Sequence, residues 1–347
     1  MSGAPKVTIA GAGVLGLASA LALAEAGCAV TVFDPGAGPN ASTVAAGMIA
    51  PVFEAVLDPA ARSHLDLLMA GRDRWPGLAQ RTGVVLDRSG AIAVGDDAWL
   101  ARVTAGLDAL GLRGAEIGRA TALALAPGLS DRMDHAILTR EDWRVDPEAA
   151  LPTLRAAAAA RGVAFRIEAV TGRGDADVLV IATGATTGLA DVAPELVELS
   201  PIKGHIVRFP GPVAGVTVRT EGAYAAPGQG GLAVGATMEP GRADTLVDFT
   251  VAAPLLAAGV RLFPALRDGR FEIAAGVRGA TPDGLPMAGW SKASGVVLAV
   301  GARRNGWLLA PLVAEVVAAC VTGRDAGPYG ARLDPARFGT GRSGGWR

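Results

Sequence analysis

The chain has 347 residues, half of them hydrophobic and 19% charged, a composition that supports a large core and excludes a disordered chain. Lysine plus arginine total 32 against 33 aspartate plus glutamate, so nothing points to nucleic acid or an acidic membrane as a partner. Two cysteines cannot build a disulfide framework, and His64, His135 and His205 lack metal-ligand spacing, so no metal site is expected.

In chain order, Val7-Thr8-Ile9 reads as a strand running into Gly11-Ala12-Gly13-Val14-Leu15-Gly16. An alanine- and leucine-rich helix over residues 17–26 follows, stopped by Gly27, and residues 30–33 form a second strand ending at Asp34. A G-x-G-x-x-G between a strand and a helix is the dinucleotide-binding fingerprint. Gly11 serves the tight turn, Gly13 the approach of a pyrophosphate, and Gly16 the close packing of helix on strand. The helix start offers N–H groups and a partial positive charge to phosphate. Asp34, eighteen residues beyond Gly16, can accept hydrogen bonds from a ribose diol. The alternative is a βαβ unit whose glycines serve packing alone. Glu25 interrupts the apolar start, which therefore does not read as a secretory leader. No later segment offers the roughly 18 unbroken apolar residues of a membrane span, so a soluble cytoplasmic protein is expected.

A Pro/Gly/Asn/Ser loop (residues 35–43) leads to Ala45-Ala46-Gly47-Met48, and apolar spacing predicts a long helix over 60–81. Residues 84–94 read as paired strands around Asp87-Arg88-Ser89-Gly90, and 100–110 and 119–125 as helices. Asp146-Pro147 opens a helix over 149–160. Residues 163–167 and 177–182 are strands, the second a buried parallel one closing on Thr183-Gly184. Segments 205–209, 216–219, 223–226 and 232–235 alternate and predict an antiparallel sheet. A helix over 251–263, strands over 271–278 and 295–300, and a helix over 308–321 complete the chain, with a frayed tail at 339–345. The fold predicted is α/β: a dinucleotide-binding Rossmann domain (1–82, 143–198 and 272–347) with an inserted antiparallel β-rich, α+β domain (83–142 and 199–271).

Ala182-Thr183-Gly184 and the late Gly301-Ala302-Arg303-Arg304-Asn305-Gly306 turn favour FAD over a nicotinamide cofactor, because a helix starting at that turn can stabilise the negative charge of a reduced flavin. The bland reading of that turn is an ordinary strand-to-helix connection. Together with Ala45-Ala46-Gly47-Met48, Val145-Asp146-Pro147, Pro201-Ile202-Lys203-Gly204 and Gly235-Ala236-Thr237-Met238, these segments resemble the D-amino-acid oxidase superfamily of flavoproteins. So do Gly276-Val277-Arg278-Gly279, Thr281-Pro282-Asp283-Gly284-Leu285-Pro286 and Arg304-Asn305-Gly306-Trp307-Leu308-Leu309-Ala310-Pro311. Within that superfamily the chain is similar to the glycine oxidases of thiamine biosynthesis, which implies that the Rossmann domain is a glutathione-reductase-like FAD-binding domain and the inserted one a substrate-binding domain.

The resemblance implies non-covalent FAD held by Gly11, Gly13, Val14, Leu15, Gly16, Asp34, Pro35, Ser42, Thr43, Ala45, Ala46, Gly47, Met48, Val170, Thr183 and Gly184, and by Gly301, Ala302, Arg303, Arg304, Asn305, Gly306, Trp307 and Leu308. It implies that Arg278 and Tyr224 bind the carboxylate of an amino acid, with Arg304, Met238 and Met48 beside it. Each has a bland alternative: an ion-paired surface arginine, a core tyrosine, core methionines. Ala302, Arg303 and Gly222 depart from the family pattern and leave the substrate open among glycine, sarcosine and small D-amino acids. The reaction implied is hydride transfer from the amine carbon to flavin N5, with dioxygen reduced to hydrogen peroxide. Rival readings are a dehydrogenase that uses another acceptor and a non-catalytic flavin-binding subunit. Relatives often assemble as homo-oligomers, a state open to this chain.

Overall fold

The computed structural model, which describes residues 4–36, 38, 40–211 and 213–339, puts the first β-branched run at the centre of a six-stranded sheet. The strand order is Met287–Trp290, Val296–Val300, Val178–Ile181, Lys6–Ala10, Ala29–Phe33, Ala164–Arg166. All neighbours are parallel except Met287–Trp290, which is antiparallel to Val296–Val300. Central parallel strands are covered on both faces, which is why Leu179-Val180-Ile181 and Val297-Leu298-Ala299-Val300 are apolar without alternation and wholly buried. Helix Val14–Glu25 packs against helix Gly306–Thr322, whose residues are apolar nearly all round because it too lies in the core. This sheet belongs to one compact unit made of Met1–Pro39, Leu151–Ile202 and Arg278–Arg347. Residues 169–176, in the short link from Ala164–Arg166 to Val178–Ile181, line a groove of about 650 Å³ along the sheet. No helix among the described residues is long and apolar enough to cross a membrane.

The second unit, Asn40–Ala150 and Lys203–Val277, is framed by a nine-stranded sheet. Ser200–Pro210, Gly231–Gly235, Ala223–Pro227 and Thr217–Thr220 pair antiparallel in that order, as their alternation predicts. Thr217–Thr220 then pairs parallel with Ala91–Ala93, so the sheet is mixed. His135–Thr139 and Ala115–Gly118 extend it, two strands absent from the sequence reading. Strand Glu272–Ala280 pairs with Ser200–Pro210.

Two local expectations need correction. Residues 60–81 do not form one helix but parts of three, Pro59–Arg62, Leu65–Asp73 and Trp75–Thr82. Pro59 and Pro76 lie in first turns, where a missing N–H costs nothing and a new helix can start. The hairpin expected around residues 87–90 is a side-chain turn, because Asp87 Oδ1 accepts from the Ser89 N–H and hydroxyl. Only Ala91–Ala93 becomes a strand there. The two compact units divide the chain at other places than the expected domains: residues 40–82, 143–150 and 272–277 fall in the second unit and 199–202 in the first. Val52, Phe53 and Val56 of helix Pro51–Leu57 bury against Ala91, Ala93 and Ile137. The expected frayed tail, 340–345, lies outside the described residues.

Candidate cofactor and substrate site

In the first unit the fingerprint glycines are forced by close backbone approach. Gly11 has φ +107, and a Cβ there would stand 2.4 Å from the Ala182 carbonyl oxygen. A Cβ on Gly16 would stand 2.0 Å from the Gly11 carbonyl oxygen. The Ala12 N–H donates to Asp34 Oδ2 at 2.6 Å and the Gly36 N–H to Oδ1 at 2.8 Å. Asp34 therefore clasps the turn itself, and a ribose would use the lone pairs that remain.

Helix Val14–Glu25 starts at Gly13 with no side-chain cap, and helix Gly306–Thr322 starts at Asn305 equally uncapped. A Cβ on Gly306 would lie 3.8 Å from the Val14 side chain, so the two helix N-termini are neighbours. Two adjacent uncapped N-termini concentrate N–H donors and positive potential at one place. Thr183, on the strand end beside them, carries a buried hydroxyl with no hydrogen-bond partner.

The same unit brings the Arg278 strand end to the late turn. A Cβ on Gly279 would be 2.7 Å from the Gly184 carbonyl oxygen, and the Gly279 carbonyl accepts the Arg303 N–H at 2.8 Å. Arg303 has φ +49, the one left-handed non-glycine residue among those described, and strain of this kind persists only where the surroundings enforce it. Arg278, Arg303 and Arg304 are each half-buried, whereas Trp307 and Leu308 point into the core. Val170 packs on the apolar cluster under the sheet.

The second unit holds the other predicted residues. Ser42 and Thr43 N–H groups are taken by Asn40 Oδ1 in a capping box, and Arg208 Nη2 donates to the carbonyls of Thr43, Val44 and Ala45. Gly47 has φ +69, and a Cβ there would meet the Val145 carbonyl oxygen at 2.1 Å. Ala46 and Tyr224 share an apolar cluster with Val44, Ile206, Ala226 and Ala233, and Met48 packs on it. Met238 stands half-buried just beyond strand Gly231–Gly235. The Tyr224 ring lies across Gly235, its cross-strand partner, where a Cβ would stand 2.1 Å from Oη and 2.2 Å from Cζ. Gly235→Ala is therefore expected to displace the ring and destabilise by about 1–3 kcal/mol, the usual cost of overpacking. Urea unfolding checks this against Gly118→Ala, whose Cβ meets nothing within 4 Å; equal midpoints for the two variants would contradict it.

Compared with known proteins, the sequence matches the family described as FAD dependent oxidoreductase (DAO) over residues 6–320. The chain belongs to that family. FAD is the family's cofactor, and the first unit fits it: a glycine turn with no room for a Cβ, paired uncapped helix starts and an unpartnered buried hydroxyl. The chain is 30% identical to the bifunctional protein ThiO/ThiG of Trichormus variabilis, an alignment covering 96% of this chain and 55% of that one. It thus spans about half the length of the bifunctional relatives it matches. It is 29% identical to the glycine oxidase of Geobacillus kaustophilus, covering 93% and 95% of the two chains. The crystal structure of glycine oxidase from Geobacillus kaustophilus superimposes with a TM-score of 0.79 at 28% identity, over 96% of this chain and 99% of that one. Iminodiacetate oxidase (IdaA) from Chelativorans sp. BNC1 gives 0.81 at 23% identity over 95% and 98%, a likeness of fold.

The sequence reading of this DAO-family chain missed a buried charged group in the second unit. Asp142 Oδ1 and Oδ2 accept the N–H groups of Val52 and Phe53, the start of helix Pro51–Leu57. Glu54, on that helix, faces Arg219 at 3.5 Å, and all three side chains are buried. Burial pushes the Asp142 carboxyl up to about 6, against the pull of Arg219 and of the two N–H bonds, with Glu54 adding to the rise. A raised carboxyl favours the folded state while protonated, so this stabilisation is complete below about pH 4 and is lost as the pH rises through 6. Relative to Asp142→Ala, the wild type is expected to gain about 1–2 kcal/mol between pH 7 and pH 5. A pH-independent difference between the two in chemical unfolding would count against it. On the other side of the unit, Lys203 pairs with Asp244 at 2.6 Å, holding that carboxyl well below the usual carboxylate range. Buried His205 accepts the Asp248 N–H at Nε2, which leaves Nδ1 to donate to Glu239 at 2.9 Å.

Proposed function

We propose that the protein oxidises glycine or another small amino acid, including secondary amines and D-amino acids, to the imino acid, with dioxygen as the electron acceptor. The observation that carries this reading is the junction of Arg278-Gly279 with the Arg303 turn, next to the two helix starts suited to FAD. FAD held non-covalently by the glycine turn, the two helix starts and Thr183 would supply the hydride acceptor, N5, and the route by which the electrons reach dioxygen and give hydrogen peroxide.

This chain's residues supply position and electrostatics. Arg278 binds the substrate carboxylate with its guanidinium fork, which fixes both the place and the angle of the amino acid. Tyr224 donates its phenol to the same carboxylate, and Met48 and Met238 give apolar contact. The N-terminus of helix Gly306–Thr322 stabilises negative charge that develops on oxidation, and the Arg304 backbone faces the amine. No side chain is required as a base, because the lone pair of a neutral amine drives loss of the hydride. The name of one relative, the putative thiamine biosynthesis oxidoreductase ThiO of Rhizobium etli, 31% identical to this chain, supports a place for the product in thiamine biosynthesis.

Anaerobic mixing tests the reading: the yellow holoprotein should bleach with at least one of glycine, sarcosine, D-alanine and D-proline, then recover in air with one peroxide formed per turnover. Bleaching without peroxide would move the protein to the dehydrogenases. A spectrum indifferent to every amine would remove the amine chemistry altogether.

A further inference from the structure

We propose that Arg219 is a positioning residue for Tyr224, its guanidinium holding the ring at the angle from which the phenol meets the substrate carboxylate; this rests on the reading of Tyr224 given above. Arg219 and Tyr224 are directly opposed on strands Thr217–Thr220 and Ala223–Pro227, so their side chains share one face of the sheet. The guanidinium carbon stands 5.5 Å from the ring centroid. Arg219 is 3% exposed, yet its Nε and Nη2 find no hydrogen-bond acceptor. Its nearest acid is Glu54, with Nη2 to Oε1 at 3.5 Å. A buried guanidinium is costly unless its charge is answered. Glu54 answers part of that charge, and the negative face of the Tyr224 ring answers another part.

The opposite side of the ring explains why this contact sets an angle. Gly235, directly opposite Tyr224, offers only bare backbone to the ring, and the side chain that strand Gly231–Gly235 adds to the same cluster is the short Ala233. Arg219, in contrast, is anchored: Glu54 rides on helix Pro51–Leu57, and Asp142 fixes the start of that helix through two N–H groups. Rigidity is thus passed from the helix start through Glu54 and Arg219 to the phenol. A contact of this type is expected to alter substrate affinity by about three- to thirtyfold.

Tyr224 and Tyr329 are the two tyrosines of the chain, so 3-fluorotyrosine labelling gives one resonance each, assigned with Tyr329→Phe. In Arg219→Met holoprotein the Tyr224 resonance should shift and broaden while that of Tyr329 stays put. KM for the amine that bleaches the flavin should rise about three- to thirtyfold with little change in kcat. Arg219→Lys, which keeps the cation, should recover part of both changes. In a Tyr224→Phe background, Arg219→Met should raise KM no further.

An unmoved Tyr224 resonance in folded Arg219→Met protein overturns the proposal, and so does an equal rise in KM in the Tyr224→Phe background. If Arg219→Met does not fold, Glu54→Gln loosens the same anchor and is judged by the same resonance. Failure of the underlying reading looks different: Tyr224→Phe would then leave KM unchanged, whatever the resonance does.

Discussion

Replacing Arg278 with alanine is expected to raise the KM for the amino-acid substrate by about two to three orders of magnitude while FAD stays bound. The size follows from the interaction removed. A guanidinium fork on a carboxylate makes two charge-assisted bonds, and truncating one partner of such a pair costs about 2–5 kcal/mol. Arg278 is half-buried near the end of a strand, and the carbonyl of its next residue, Gly279, accepts the Arg303 N–H, so its backbone is held in place. Arg278→Lys keeps the charge without the fork and should fall between wild type and Arg278→Ala. Steady-state kinetics with an absorbance check of flavin content decides the matter. Unchanged kcat/KM in a yellow Arg278→Ala protein would remove the carboxylate role.

The second large effect is expected at Gly16, and it falls on the cofactor. A valine there drives its Cβ to 2.0 Å from the Gly11 carbonyl oxygen and 3.3 Å from Ala182 Cβ. The turn cannot yield, since the Gly11 N–H is held by the Phe33 carbonyl at 2.8 Å and the Ala12 N–H by Asp34. The helix must lift away from the strand, and its N–H groups leave the phosphate position. Gly16→Val should therefore weaken FAD binding about 30- to 150-fold, the equivalent of 2–3 kcal/mol of overpacking, and purify largely colourless. Gly188→Ala, where a Cβ meets nothing within 4 Å, is the matched control. A Gly16→Val protein with the flavin stoichiometry of wild type would defeat this account.

What the sequence revealed, and what it hid, follows from how local each feature is. The glycine turn, its helix and Asp34 lie within one βαβ unit, where fixed offsets carry the meaning. Helix Pro147–Ala159 announced itself through Asp146-Pro147 in the same way. The Arg219–Tyr224 contact was half legible: the turn Glu221-Gly222 sets Thr220 opposite Ala223 and therefore Arg219 opposite Tyr224. Nothing local, however, marked Glu54 or Asp142 as partners of Arg219, because an acid on a short helix or in a loop between strands reads as solvated until the fold buries it. Strand Ala115–Gly118 stayed hidden for a related reason. It is largely exposed and lacks the alternation that betrays a half-buried strand. The run from 60 to 81 misled because apolar spacing persisted across the break at residues 63–64 and through Pro76, which restarts the helix.

The first unit gathers three separated stretches of the chain, and the glycine turn lies in the earliest of them. Its supporting strand Val178–Ile181 and its companion helix Gly306–Thr322 are made much later. During synthesis the turn therefore emerges long before the surfaces that shape it, with an apolar helix that has nothing yet to cover it. Closing such long loops is slow and leaves sticky intermediates. Cofactor capture is therefore expected late in biogenesis, and shielding the nascent chain with co-expressed chaperones should raise the yield of yellow protein.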